Sequence, residues 1–119
     1  MSGRSDVQEG GSALPLEIAP DFLAKLRHDG KPHAVLDVRE AWELDICRLT
    51  GCLHIPLDEL TRRVDELPKD RPIVVVCHTG RRSLMATRFL RDAGVAQATN
   101  LIGGVEAWAI DVDPDMQRY

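Results

Sequence analysis

The chain has 119 residues, 44% of them hydrophobic and 29% charged, with a formal net charge of −4. This is the size and make-up of one globular core, and it excludes a collagen-like, coiled-coil or wholly disordered chain. The acidic balance offers no basic face for nucleic acid or anionic lipid, and no run approaches the ~20 apolar residues of a membrane span, so neither kind of partner is expected.

Residues 1–13, MSGRSDVQEGGSA, are polar and rich in Gly and Ser. They lack the apolar segment of a signal peptide and are expected to be a flexible leader to one domain over 14–119. The next segment, LPLEI (14–18), predicts a short edge strand. PDFLAKLRHDG (20–30) predicts a helix that opens on a proline, turns Phe22, Leu23 and Leu26 to one side and stops at Gly30. AVLDV (34–38) predicts a buried strand whose end carries Asp37, Arg39 and Glu40. REAWELD (39–45) predicts one or two helical turns, and CLHIPL (52–57) a short extended piece in which Pro56 argues against a central position. From Leu57 to Leu67 the apolar residues Leu57, Leu60, Val64 and Leu67 fall at spacings of three and four, the pattern of a surface helix.

The clearest strand is IVVVC (73–77). It is followed by a helix over 82–94 that brings Leu84, Met85, Phe89, Leu90 and Ala93 to one face and ends at Gly94. A last strand, ATNLI (98–102), precedes a short helix over 104–110, and 109–119 reads as an extended tail with no binding role assigned. Strands alternating with helices, joined by connections too long for hairpins, predict an α/β fold: a mostly parallel central sheet with helices on both faces. In such sheets ligands bind beyond the carboxyl ends of the strands, where both Cys77 and the Asp37–Arg39 pair fall.

The loop Cys77-His78-Thr79-Gly80-Arg81-Arg82-Ser83 explains why a thiol would stand there. Gly80 permits a tight turn in which successive amides converge on one point, the following helix adds its unpaired N–H groups, and Arg81 and Arg82 add positive charge. Such surroundings push a thiol toward the nucleophilic thiolate. The plainer alternative is a cysteine that only fills the core at a strand end. It does not account for a glycine, two arginines and a hydroxyl gathered at a helix mouth. Cysteine phosphatases place an arginine six residues after the cysteine, whereas here that residue is Ser83 and Arg82 comes one place early. The shorter loop suits something smaller than phosphate, such as the outer sulfur of a persulfide.

Three segments together carry a family resemblance: LDVREAWEL (36–44) with GCLHIPLDEL (51–60), the loop IVVVCHTGRRS (73–83), and LIGGVEAW (101–108). Over about Leu16 to Tyr119 the chain resembles a single-domain rhodanese, a sulfurtransferase. The resemblance implies a rhodanese-like α/β fold, with Cys77 cycling between thiolate and persulfide and the amides of His78, Thr79, Gly80, Arg81, Arg82 and Ser83 holding the outer sulfur. It implies a small anionic sulfur donor such as thiosulfate, attracted by Arg81, and cyanide, a thiol or a sulfur-carrier protein as acceptor. Asp37 and Arg39 are then structural support by an ion pair, and Gly103, Gly104 and Trp108 pack the last helix. No metal or organic cofactor is implied. The rivals are a non-catalytic rhodanese-like binding or regulatory module, which usually lacks the cysteine, and a cysteine phosphatase or arsenate reductase.

Three cysteines, Cys47, Cys52 and Cys77, are an odd number in a chain large enough to fold without staples, which favours a reducing, cytoplasmic setting. Cys47, Cys52 and His54 lack the tight spacing of a structural zinc site, so no metal is assigned to them. Two further readings are kept as expectations to examine: Cys52 as a resolving thiol for Cys77, and His78 as a general base. Trp42 either packs beside the first motif or lines the site rim.

Overall fold

A computed structural model describes residues 14–119; the leader expected at 1–13 lies outside the described residues. In chain order the elements are β1 (Glu17–Ile18), α1 (Pro20–His28), β2 (Ala34–Asp37), α2 (Ala41–Ile46), β3 (Leu53–His54), α3 (Leu60–Arg63), β4 (Ile73–Val76), α4 (Arg81–Asp92), β5 (Ala98–Leu101) and α5 (Gly104–Asp111). The five strands form one sheet in the order β1-β5-β4-β2-β3, and every neighbouring pair is parallel. The strand richest in β-branched residues, β4, lies at the centre, where side chains on both faces must be apolar. Its alternation divides the core. Ile73 and Val75 join Leu36, Leu60, Ala86 and Leu90 on the face covered by α3 and α4. Val74 and Val76 join Val35, Leu23, Val105 and Trp108 on the face covered by α1 and α5. Among the described residues no helix is long and apolar enough to cross a membrane.

Three details depart from the periodicity. The helix expected over 57–67 is broken into α3 and a flanking 3-10 turn on each side, Leu57–Glu59 and Val64–Glu66. The tighter turns let both Leu60 and Leu67 reach the core, and Arg63 ties the outer side of the segment to Glu59 at 2.8 Å and Glu66 at 2.9 Å. Phe22 is exposed, because the next residue, Leu23, takes the buried position on α1.

In α4 the packed face is Ser83, Ala86, Thr87 and Leu90, while Met85 is 66% exposed and Ala93 lies outside. The polar members of that face are satisfied where they lie: Thr87 Oγ1 donates to Ser83 O at 2.7 Å and Ser83 Oγ to Cys77 Sγ at 3.2 Å. Small hydroxyl residues therefore let the helix start press on the end of β4 without stranding a polar group.

The first turn of α5 meets the same place from the other face. Its amides Val105 N and Glu106 N donate to Cys77 O at 2.9 Å and His78 O at 3.0 Å. This closeness requires Gly104, whose φ is +60° and whose missing Cβ would collide with the carbonyls of Cys77 and His78. Gly94, also at positive φ (+98°), has open space around it and serves as a control. In urea unfolding, Gly94→Ala is expected to lose about 1 kcal/mol from backbone strain alone and Gly104→Ala about 3 kcal/mol or more. Equal losses would show that α5 does not depend on this approach.

Candidate active site

Cys77 comes one residue after the last residue of β4 and is 1% exposed. The chain then turns within three residues into α4, with Gly80 in the left-handed region at φ +95° as the residue before the helix. A side chain at Gly80 would also run into Gly103 N, 2.9 Å from where its Cβ would be. The turn directs three donors onto the sulfur: Gly80 N at 3.1 Å, Ser83 N at 3.3 Å and Ser83 Oγ at 3.2 Å.

The carbonyls point the other way, each with a donor of its own. Cys77 O and His78 O are taken by α5, and Gly80 O accepts from Asn100 Nδ2 at 3.1 Å. Asn100, buried on β5, is itself held by Glu17 Oε2 on the neighbouring strand at 2.9 Å. The result is a cup of N–H and O–H groups around one sulfur, suited to an electron-rich atom.

Two carboxylate–guanidinium pairs border the cup. Asp37 and Arg39 are both fully buried at the end of β2, with Arg39 Nη2 at 2.8 Å from Asp37 Oδ2 and Nε at 3.0 Å from Oδ1. Arg39 also donates to Cys47 O at 2.7 Å, tying the end of β2 to the end of α2. Burial alone would lower its basicity, but the hydrogen bonds with Asp37 and Tyr119 outweigh it and hold the guanidinium more firmly charged than an ordinary arginine.

The second pair joins α4 to α2: Arg82 Nη1 and Nη2 each lie 2.8 Å from an oxygen of Glu43, in a bidentate fork. Glu43, 3% exposed, accepts two further bonds, from Glu40 N at 2.9 Å and Tyr119 OH at 2.7 Å. The Arg82 bonds above all, against the opposing effect of burial, bring its carboxyl down to about 2.

The structure gathers some of the sequence-selected residues at the sulfur and sends others elsewhere. Gly80 and Ser83 touch it. Thr79 and Arg81 lie on the exposed rim. Arg82 was expected to bring its charge to the thiol, but its guanidinium is engaged by Glu43. His78 is not aimed at Sγ as a base would be: its ring stacks on Tyr119 at 3.9 Å and 8°, and its Nε2, buried without a hydrogen-bond partner, is 3.9 Å from Glu106 Oε1.

The strand register opposes the resolving-thiol expectation. Leu53 pairs with Leu36 and Leu36 with Val75, so Cys52 lies two strand spacings, about 10 Å, from the line of β4, further than the Cα separation a disulfide bridges. Burial first, and the Asp37 carboxylate second, push the Cys52 thiol up, away from the thiolate a resolving cysteine uses. Cys47 lies against Arg39, and His54 Nε2 donates to Arg39 O at 2.7 Å. Among the described residues no group of three or more His, Cys, Asp or Glu could hold a metal ion.

Three residues of the site were not singled out from sequence. Glu43 lies inside the first motif, in a segment read only as one or two helical turns; its i+3 spacing from Glu40, which closes a capping box at the start of α2, is the signal that could have marked it. Asn100 stood in a strand with no charge to mark it. Tyr119 belongs to the tail, and only the chain's folding back across the site gives it neighbours. Gly104 was read as packing alone, whereas it brings α5 against the carbonyls of the loop.

A family model described as "Rhodanese-like domain" matches residues 19–111. The adenylyltransferase and sulfurtransferase MOCS3-2 of Zea mays is 38% identical, over 80% of this chain and 21% of its own length. The putative sulfur carrier protein YrkF of Bacillus subtilis is 34% identical, over 89% of this chain and 57% of its own length. The chain thus spans between about a fifth and somewhat over half of these curated relatives. A rhodanese-related protein from Thermoplasma volcanium superposes with a TM-score of 0.71 at 31% identity, covering 81% of this chain and 92% of that one.

Breaking the fully buried pair with Asp37→Ala is expected to cost about 3–5 kcal/mol, because a charged guanidinium is left without its partner. Glu43→Gln, whose partner Arg82 is partly exposed, is expected to cost about 1–3 kcal/mol near neutral pH. Glu43 has a depressed carboxyl, so its contribution is present above its unfolded value of 4.5 and is lost as pH falls through about 2. Urea midpoints measured down the pH scale should therefore show the wild-type advantage over Glu43→Gln closing across that window. A gap that stays constant would mean that the charge of Glu43 contributes nothing to the fork.

Proposed function

From the premise that the chain belongs to the rhodanese-like domain family, we propose that it is a sulfurtransferase that carries sulfane sulfur on Cys77. The observation that supports this most directly is the cup itself: three donors on one buried sulfur, within a loop one residue shorter than phosphate chemistry uses. A thiolate is the form of Cys77 able to use all three as an acceptor. It attacks the outer sulfur of thiosulfate, forming the Cys77 S–S bond as the S–S bond of the donor breaks and sulfite leaves with the electron pair. Cyanide or a thiolate then attacks the outer sulfur of the persulfide, and the Cys77 thiolate is regenerated.

Two displacements replace one difficult transfer, and no proton is moved by a side chain in either, in keeping with His78 facing Tyr119 instead of the sulfur. The loop amides of His78 through Ser83 stabilise negative charge on the outer sulfur, the logic of an oxyanion hole. Exposed Arg81 is the cation placed to draw in an anionic donor. A sulfur-carrier protein is an alternative acceptor, in keeping with the likeness to the putative sulfur carrier protein of Bacillus subtilis. All three cysteines are free, as a reducing cytoplasmic setting would keep them.

The test is intact mass before and after incubation with thiosulfate, in wild type and Cys77→Ser. The expected result is a gain of about 32 Da, one sulfur atom, that cyanide removes and the variant never shows. Wild type that stays unmodified while an alkylating agent still labels Cys77 would overturn thiosulfate as donor. Turnover of an aryl phosphate in its place would move the reading to phosphatase chemistry.

A further inference from the structure

The last two residues of the sequence, Arg118 and Tyr119, lie across the rim of the cup. Arg118 Nε is 3.0 Å from Glu106 Oε2, on the first turn of α5. Tyr119, the one tyrosine in the chain, stacks its ring on His78 and meets Trp42 edge-on with centroids 6.2 Å apart. Its hydroxyl accepts from Arg39 Nη1 at 2.8 Å and donates to Glu43 Oε2 at 2.7 Å. One neutral group thus joins the buried Asp37–Arg39 pair to the Glu43–Arg82 fork, and Arg82 directly precedes Ser83, whose N–H and O–H both hold the sulfur.

We propose that Tyr119 is a positioning residue for the anionic sulfur donor: its hydroxyl fixes the Glu43 carboxylate that orients Arg82 at the start of α4, and its ring, with Trp42 and His78, forms one wall of the cysteine opening. The role rests on the sulfur-transfer reading. It acts on the step in which the donor anion enters, because its ring borders the opening and the Glu43–Arg82 fork it steadies leads directly into Ser83, whose N–H and O–H hold the sulfur. The acceptor step starts from a persulfide already bonded to Cys77 and depends less on that orientation. The groups facing the phenol come from every element around it: Arg39 after β2, Trp42 and Glu43 on α2, His78 in the loop, Arg82 on α4. Burial first, then the Glu43 carboxylate, push the phenol up to about 12 against the opposing pull of Arg39.

The experiment uses the full chain with thiosulfate as donor and cyanide as acceptor, in wild type, Tyr119→Phe and Tyr119→Ala. Tyr119→Phe keeps the ring and removes the hydroxyl with its hydrogen bonds to Arg39 and Glu43; the expected result is a KM for thiosulfate raised about tenfold, with kcat and the KM for cyanide within about twofold. A merely structural role would lower kcat through a smaller active fraction and leave the KM for both substrates unchanged. Tyr119→Ala should raise the thiosulfate KM at least as far, and should also abolish the ring-current shift of the His78 ring protons, which Tyr119→Phe retains.

Docking is read without any variant: near pH ~11 the phenol of native protein should remain mostly neutral, while in protein unfolded with guanidinium chloride it should be mostly ionised. Unchanged KM values in both variants, with persulfide still formed, would overturn the positioning role and leave sulfur transfer standing. A phenol that ionises alike in native and unfolded protein would overturn the docking. A wild type that never gains sulfur would overturn the reading underneath, and this role with it.

Discussion

A chain that turns from strand to helix within three residues must still satisfy its own polar groups, and the architecture around Cys77 follows from how it does so. The carbonyls of Cys77, His78 and Gly80 have donors supplied from outside the loop, two from the first turn of α5 and one from Asn100 on β5. With the carbonyls held outward, the amides of Gly80 and Ser83 can face inward to the sulfur. Gly80 and Gly104 are both required by this arrangement, one by the turn and the other by the approach of α5, and neither position tolerates a Cβ in its present place. The cup is therefore a product of three separate elements and not of the loop alone.

The electrostatics divide in the same way. Asp37 and Arg39 compensate each other in full burial, so their net effect on the sulfur is small and their role is to tie β2, α2 and the tail at one point. Such a pair specifies geometry more than it adds stability, since removing both charges from water offsets much of their attraction. Arg82 is likewise balanced by Glu43. Arg81 is left exposed on the rim without an ion-pair partner among the described residues, so under the proposed reaction drawing in an anion and holding the sulfur fall to different groups.

Much of this was legible in the sequence because it is local. The alternation of apolar runs and amphipathic segments marked the parallel sheet, and a strand ending on cysteine, a glycine three residues on and a helix start placed the thiol and its loop. The structure puts each of these where the pattern indicates. What periodicity missed was polar residues that face inward. Ser83 was read for the loop and Thr87 was given no role, so the packed face of α4 was drawn through Met85 instead, and the spacing over 57–67 does not show that the turns tighten on either side of α3. Glu43, Asn100 and Tyr119 are defined by partners 39, 20 and 76 or more positions away, distances at which a single sequence carries no pairing signal.

The contact between α5 and the loop also bears on when the site comes into being. Cys77 and Val105 are far apart along the chain, so the carbonyls acquire their donors only when the last helix has docked on a sheet already assembled. Until then the carbonyls of Cys77 and His78 lack these donors, and nothing holds the loop amides facing the sulfur. Fraying of α5 in the finished protein would take those donors away, so the cup around Cys77 belongs to the completed tertiary structure and is absent from any partly folded form.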